Sequence, residues 1–348
     1  MFERNIYDHY QLYCEDRFIV GNYEAFRSNG NTYVFIPHLE TSGYPVDEQM
    51  KMAQHLTQNG ENLVGQFIYT VQKKVSAQID GDEGYLIYLP TVADQKKDFS
   101  TMELGARLAY FHDCGINFQV NRKSQQYYGQ WKQLWEQRLQ QLENWYNQVF
   151  KQPRNEIDEA FVLTFPYYMG LCENAMQYVV DSDIDEQYRS RDEAVICHQR
   201  FTDSSWLCPE EGAETYVKLP SEFIYDHPSR DVAEWIRFKI IEEKASFSEV
   251  VSFLDGYEQR RPLSKYSWRM VYARLLFPLH YFEVVEGYYR YHLSTSQEYY
   301  AKQFITVLDE EIKNEQFLRS FFTELQLPTY QGNLPMVDWL QERQPYLR

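Results

Sequence analysis

Positive charge is in short supply in this chain. Against 51 Asp and Glu stand 34 Lys and Arg, a formal net charge of −17 at pH 7. No basic stripe overrides that sum, which argues against nucleic acid and against an anionic membrane as partners. Long apolar runs are missing too: none approaches the roughly 20 residues that a membrane-spanning helix needs. The N-terminus, MFERNIYDHY, is charged and aromatic and does not read as a secretory signal, so synthesis in the cytoplasm is expected. The 5 cysteines (positions 14, 114, 172, 197 and 208) are scattered and odd in number. They suit a reducing interior better than a disulfide framework or a zinc site. Internal repeats and low-complexity segments are likewise absent.

What remains is an ordinary globular balance, 44% hydrophobic and 24% charged, on 348 residues, enough for a large core and two lobes. The unusual component is aromatic: 30 Tyr, 22 Phe and 7 Trp. Such an excess builds either an aromatic-rich core and groove or a surface that holds, or is cross-linked to, other proteins. Composition does not choose between them.

Residues 1–100 read mostly as β. Tyr23–Arg27 and Thr32–Pro37 flank Ser28-Asn29-Gly30-Asn31, a strong hairpin signal. A helix is predicted over Val46–Gln58, stopped by Asn59-Gly60. Strands follow at Leu63–Thr70, Lys74–Ile79 and Tyr85–Leu89. The period then lengthens to 3.6. Helices are predicted over Met102–Asp113, Gln130–Phe150 and Ile157–Val180, the last kinked or broken by Pro166. A short strand at Glu214–Lys218 is followed by helices over Asp231–Glu243, Ser246–Tyr257, Tyr266–Tyr289 (interrupted by Pro278), Ser296–Lys313 and Glu315–Leu325. The polar stretch Thr91–Ser100 marks a boundary between a β-rich N-terminal lobe, residues 1–93, and a helical C-terminal lobe, residues 94–348.

The stretch that organises the chain is Ala194–Trp206, AVICHQRFTDSSW, an apolar run opening into a polar loop. A rigid strand behind an adaptable loop is how many sites are built. Its spacing resembles the catalytic loop His-x-Asp-x-x-x-x-Asn of kinase-like folds, whose Asp takes the substrate hydroxyl proton and whose Asn holds magnesium. Ala106-Arg107-Leu108-Ala109-Tyr110-Phe111-His112 is similar to the Phe-His helix of aminoglycoside phosphotransferases and choline kinases. Cys197-His198-Gln199-Arg200-Phe201 and Asp226-His227-Pro228-Ser229-Arg230-Asp231-Val232 resemble two segments of the CotS-like family of spore coat proteins of Bacillus-type endospore formers, its YutH branch most of all. The resemblance implies an α+β, protein-kinase-like fold and other spore coat proteins as partners.

The departures from the resembled pattern bear on function. His198 is in place, but the base position is Arg200 and the metal-holding amide position is Ser205. Twelve residues before Asp231, where the family pattern puts a metal-binding Asp, stands Leu219, and the nucleotide-binding lysine of the third strand corresponds to Ile36. The segment Phe18–Tyr23 carries a single glycine, Gly21, and a lone glycine makes no phosphate cradle. A base alone supplies about 10²–10⁴ in rate, and charge stabilisation usually supplies more. The expectation is therefore a degenerate phosphotransferase of the spore coat, with no intact catalytic residue, no bound metal and no cofactor. Two alternatives stay open: a small-molecule phosphotransferase using displaced carboxylates such as Asp203 and Asp226 with ATP and magnesium, and a module that binds nucleotide or sugar without turnover.

Individual residues carry narrower expectations. Asp203 reads as a turn aspartate capping local backbone N–H groups. Arg200 is expected to pair with a carboxylate and hold the cleft shut, with phosphate binding as the other reading. His198 carries over from the resemblance as structural, His112 reads as a satisfied core histidine, and Asp231 as a helix N-cap. Asp181, Asp183 and Asp185 mimic the start of a calcium loop, but Glu186 stands where the glycine is required, which leaves a solvated loop. Cys197 has no base placed to activate it.

Overall fold

The computed structural model describes residues 1–38, 44–90, 100–120, 127–185, 192–208, 216–290, 294–325, 337 and 340. The chain divides into two compact units. One comprises Met1–Tyr128, Ser190–Lys239 and Ser248–Pro262; the other comprises Gly129–Arg189, Ile240–Phe247 and Leu263–Arg348. The boundary expected at 91–100 falls almost wholly outside the described residues.

The first unit opens with a helix, α1 (Phe2–Tyr10), in a stretch read only broadly as part of the β-rich first 100 residues. Its signal is Phe2, Ile6 and Tyr10, buried at a spacing of four, too short a run to outweigh the β-prone neighbours. Strands β1 (Asp16–Val20), β2 (Tyr23–Ser28) and β3 (Asn31–Pro37) follow, then α2 (Val46–Gln58), β4 (Gln66–Ile68), β5 (Ser76–Ile79) and β6 (Asp82–Leu89). The antiparallel sheet runs in the order β1-β2-β3-β6-β4, with β5 also paired to β6. The helix α2 has the bounds its periodicity predicts.

The β2–β3 turn is the predicted Asn29-Gly30 hairpin, with φ of 51° and 74° at its two central residues, the mirror-image turn that suits twisted strands. Alternation along the strands sends side chains to two cores. Phe26, Phe35 and Leu86 meet Phe2, Ile6 and Tyr10 of α1 on one face. Ala25, Val34, Ile36 and Ile87 line the other.

The same unit carries α3 (Thr101–Cys114), whose first turn is closed by a reciprocal Ser100–Glu103 capping box. Two small strand pairs frame the loop after His198: β7 (Val195–His198) with β10 (Phe223–Asp226), and β8 (Trp206–Leu207) with β9 (Val217–Lys218). Helix α6 (Ser229–Arg237) follows β10, and α7 (Phe247–Arg260) lies almost wholly in this unit.

The second unit is helical: α4 (Trp131–Val149), α5 (Glu156–Asp185), α8 (Lys265–Leu276), α9 (Leu279–Arg290) and α10 (Ser294–Glu324). Pro166 neither breaks nor ends α5, which runs 30 residues. Pro278 does separate α8 from α9: Phe277 just before it is extended, with ψ of 115°, the conformation a following proline favours. The two C-terminal helices expected from the sequence are one, α10, because the supposed break at Asn314 is a buried helical position. Asp181, Asp183 and Asp185, expected in a loop, form the last turns of α5, where Asp183 accepts the Tyr266 hydroxyl and Asp185 pairs with Arg269. Stacked rings hold this unit, Tyr168 on Tyr281 at 3.5 Å and Trp135 on Phe277 at 4.7 Å between centroids. Much of the aromatic excess is thus core.

Candidate functional site

The loop from His198 to Leu207 is braced from below by one carboxylate. Asp231, in the first turn of α6, accepts the His198 backbone N–H at 3.0 Å, His198 Nδ1 at 2.8 Å and His112 Nε2 at 3.2 Å. The Trp206 indole N–H donates to His198 Nε2 at 3.0 Å, so the single proton of a neutral His198 ring sits on Nδ1 and points at Asp231. His112 Nδ1 meets the Tyr257 hydroxyl at 2.8 Å. All of these side chains lie inside the first unit.

Burial by itself would raise the Asp231 carboxyl, but His198 and His112 outweigh it and hold its pKa at about 2. Burial pushes the His112 pKa down despite Asp231. Both rings are engaged in buried contacts on each nitrogen, His198 with Asp231 and Trp206, His112 with Asp231 and Tyr257. Asp231 is not an N-cap: Pro228 holds that position, and the carboxylate turns inward to three donors instead.

The loop's polar groups are largely used within it or close by. Ser205 Oγ donates to the Arg200 carbonyl at 3.0 Å and accepts the Thr202 N–H at 2.8 Å, closing the turn. Arg200 itself is half-buried. Asp203, expected to cap its own turn, reaches instead to α6 and the π-helical turn after it. It accepts the Trp235 indole N–H at 2.7 Å and pairs with Lys239. Sequence proximity missed this contact because its partners are more than thirty residues away. With Thr101, Leu104, Trp206 and Tyr216 these groups border a cavity of about 180 Å³. Asp226 is fully buried and engaged on both oxygens, by the His227 N–H at 2.7 Å and by Arg230 at 2.8 Å.

Ile36 and Leu219 are brought together. Both belong to one apolar cluster with Val20, Ala25, Val34, Phe67, Ile87, Leu89, Leu207 and Val217, and their exposures are 0% and 2%. Sheet and loop meet here directly. The β1–β2 turn has only two residues, since Val20 pairs with Tyr23, and its Gly21 has φ of 58°. A Cβ at Gly21 would stand 2.8 Å from Leu207 Cδ2.

Beside Leu219 lies an ion pair that the sequence reading did not single out. Lys218, 2% exposed, reaches Glu61 at 3.1 Å and lies 4.7 Å from the centroid of the Trp206 ring. Burial lowers the Lys218 pKa, while Glu61 works against that shift. The only hint in sequence was a lysine inside the apolar run Tyr216-Val217-Lys218-Leu219.

Among the described residues one group of buried side chains has metal-ligand chemistry: a ligand-type atom from each of His112, Cys197 and Asp231 lies within 4.8 Å of the others. The His112–Asp231 hydrogen bond and the contacts of Cys197 Sγ with the Asp226 and His227 carbonyls, at 3.5 and 3.6 Å, account for that grouping. Burial also pushes the Cys197 thiol well up, away from the thiolate.

The architecture has close counterparts among solved structures. An aminoglycoside phosphotransferase from Alicyclobacillus acidocaldarius superposes with a TM-score of 0.66 at 16% identity, covering 91% of this chain and 94% of that one. The fold is thus that of the aminoglycoside phosphotransferases. The endospore coat-associated protein YutH of Bacillus subtilis is 34% identical over 322 residues, 91% of each chain. Spore coat protein S of the same organism is 23% identical over 294 residues, 83% of this chain and 77% of that one. Residues 3–321 match the family described as "Spore coat putative kinase YutH", and the chain belongs to that family.

Proposed function

We propose that this protein is a non-catalytic, kinase-fold component of the endospore coat that works through binding surfaces, with other coat proteins as its partners. Its relatives' names supply the coat assignment. The observation that carries the non-catalytic reading is the apolar cluster joining Ile36 and Leu219 across the sheet–loop junction, with Gly21 packed against Leu207.

Nucleotide and magnesium do not fit the residues present. Magnesium takes oxygen ligands, and the expected carboxylate position is a buried leucine. The Ser205 hydroxyl is spent on its own loop. A two-residue β1–β2 turn offers no run of backbone N–H groups to wrap phosphates. The displaced-carboxylate alternative is not favoured, because Asp203 and Asp226 are already held by Lys239 and Arg230. Among the described residues no helix is long and apolar enough to cross a membrane, which agrees with deposition in a coat.

A thermal-shift titration with ATP, ADP and GTP, with and without magnesium, tests the catalytic half, because a ligand bound only by the native state must raise Tm. No shift is expected at millimolar nucleotide. A magnesium-dependent rise of several degrees would overturn the reading. A fluorescent fusion followed through sporulation tests the other half: signal confined to the spore surface is expected, and diffuse signal in the mother cell would contradict it.

A further inference from the structure

Two Asn-Gly dipeptides stand in the first unit, and the fold treats them differently. At Asn59-Gly60 the Asn59 Nδ2 donates to the His55 carbonyl at 2.8 Å and the Gly60 N–H donates to the Thr57 carbonyl at 3.2 Å. The Gly60 carbonyl is held as well, by the Tyr110 hydroxyl at 2.9 Å. Both reacting groups are thereby pinned. At Asn29-Gly30 both residues are exposed, and nothing lies within 4 Å of a Cβ placed on Gly30. Among the described residues neither the Asn29 carboxamide nor the Gly30 N–H has a hydrogen-bond partner.

We propose that Asn29 is a site of spontaneous deamidation, a covalent modification that Asn59 escapes because of its fold. The Gly30 backbone nitrogen gives its proton to solvent and attacks Asn29 Cγ. A C–N bond forms, and the carboxamide nitrogen, taking a proton, leaves as ammonia. The resulting succinimide is opened by water at either carbonyl, giving aspartate or isoaspartate. Nothing is oxidised or reduced, and water is the only co-reactant. Glycine is the residue that permits the attack, since no side chain shields its nitrogen.

The products have structural consequences. The Asn29 N–H donates to Glu15 Oε1 at 2.8 Å, so either product sets a second carboxylate near Glu15. Isoaspartate also adds a carbon to the main chain of a two-residue turn whose ends pair as Ser28 with Asn31. That geometry tolerates no extra atom. The strands it joins, β2 and β3, carry Ala25, Val34 and Ile36 into the apolar cluster. Ageing at one exposed turn therefore loosens the sheet where it meets the loop.

The test is peptide mapping by mass spectrometry of the full chain held in mildly alkaline buffer, with enzymatic methylation to score isoaspartate. Asn29 is expected to convert several-fold faster than Asn59 in the folded protein, and the two at similar rates in urea. Equal rates in the folded protein, or an unchanged Asn29, would overturn the proposal. The fall in Tm of the aged protein is expected to track its isoaspartate fraction, and an unchanged Tm would refute the structural consequence. Asn29→Asp, which changes charge without lengthening the turn, is expected to lose less Tm than the aged protein; an equal loss would assign the effect to charge.

Discussion

Gly21 and Leu207 touch: a Cβ at position 21 would come within 2.8 Å of Leu207 Cδ2. A turn at the tip of the first hairpin and a strand far along the chain thus share one apolar core. Leucine at 207 leaves room at 21 for a hydrogen and nothing larger. The backbone there also holds φ of 58°, which side chains other than glycine's adopt at a cost.

Substitution at this contact is expected to be non-additive. Leu207→Ala should cost about 2–5 kcal/mol through lost burial and a cavity. Gly21→Ala should cost about 2 kcal/mol alone, from strain and overlap together. In the Leu207→Ala background only the strain of about 1 kcal/mol remains. Urea unfolding of the four proteins measures the coupling; strict additivity would show that the two residues do not press on each other.

Asp231 makes stability depend on acid. Its folded pKa of about 2 lies below the unfolded carboxylate value of about 3.9. A depressed carboxylate stabilises the fold above its unfolded pKa, and that contribution fades as pH falls through the folded one. About 2 kcal/mol is expected to disappear between roughly pH 4 and pH 2. Asp231→Asn should be destabilised at neutral pH by about 3 kcal/mol, through donors left facing an amide. It should also show a shallower acid slope than the parent in unfolding measured across that window.

The Lys218–Glu61 pair is expected to behave as buried pairs do. Lys218→Met strands a carboxylate and should cost about 3–5 kcal/mol. Adding Glu61→Gln, which keeps an acceptor for the Leu63 N–H at 3.1 Å, should recover part of that loss. A double variant less stable than Lys218→Met alone would argue that Glu61 serves a partner other than Lys218.

Asp203 separates a structural role from a chemical one. Asp203→Ala leaves the Trp235 indole N–H without its acceptor and is expected to cost about 1–3 kcal/mol, with altered tryptophan emission. Asp203→Asn keeps the acceptor and should cost less. Phosphotransfer to amino sugars is expected to be undetectable in the parent and in both variants. Turnover in the parent that vanishes in Asp203→Ala would restore the enzyme reading.

The Asn29-Gly30 hairpin, α2 and its Asn59-Gly60 stop were legible because each rests on neighbours a few residues away. So was the likeness of the His198 loop to kinase folds. Helix α1 was not, since three apolar residues in a β-prone stretch are a weak period. Pro166 misled for a related reason: a proline removes one hydrogen bond, and packing along a 30-residue helix overrode that local cost. Asp203 and Asp231 were assigned to their own backbone because sequence offers no other partner, whereas their donors come from elements folded against them.

By itself the sequence determined which chemical groups exist. Arginine, serine, leucine and isoleucine stand at positions 200, 205, 219 and 36, so the aspartates, the asparagine and the lysine of the resembled kinase pattern are not at those positions. It also set the alternations that send Phe35 to one face of the sheet and Ile36 to the other. Tertiary structure alone decided that Ile36 and Leu219 share a core, that Gly21 rests on Leu207, that Trp206 and Asp231 together fix the His198 tautomer, and that Lys218 finds Glu61. Each of these joins residues far apart in the chain, and their proximity comes from packing the sheet against the loop, which no local preference encodes.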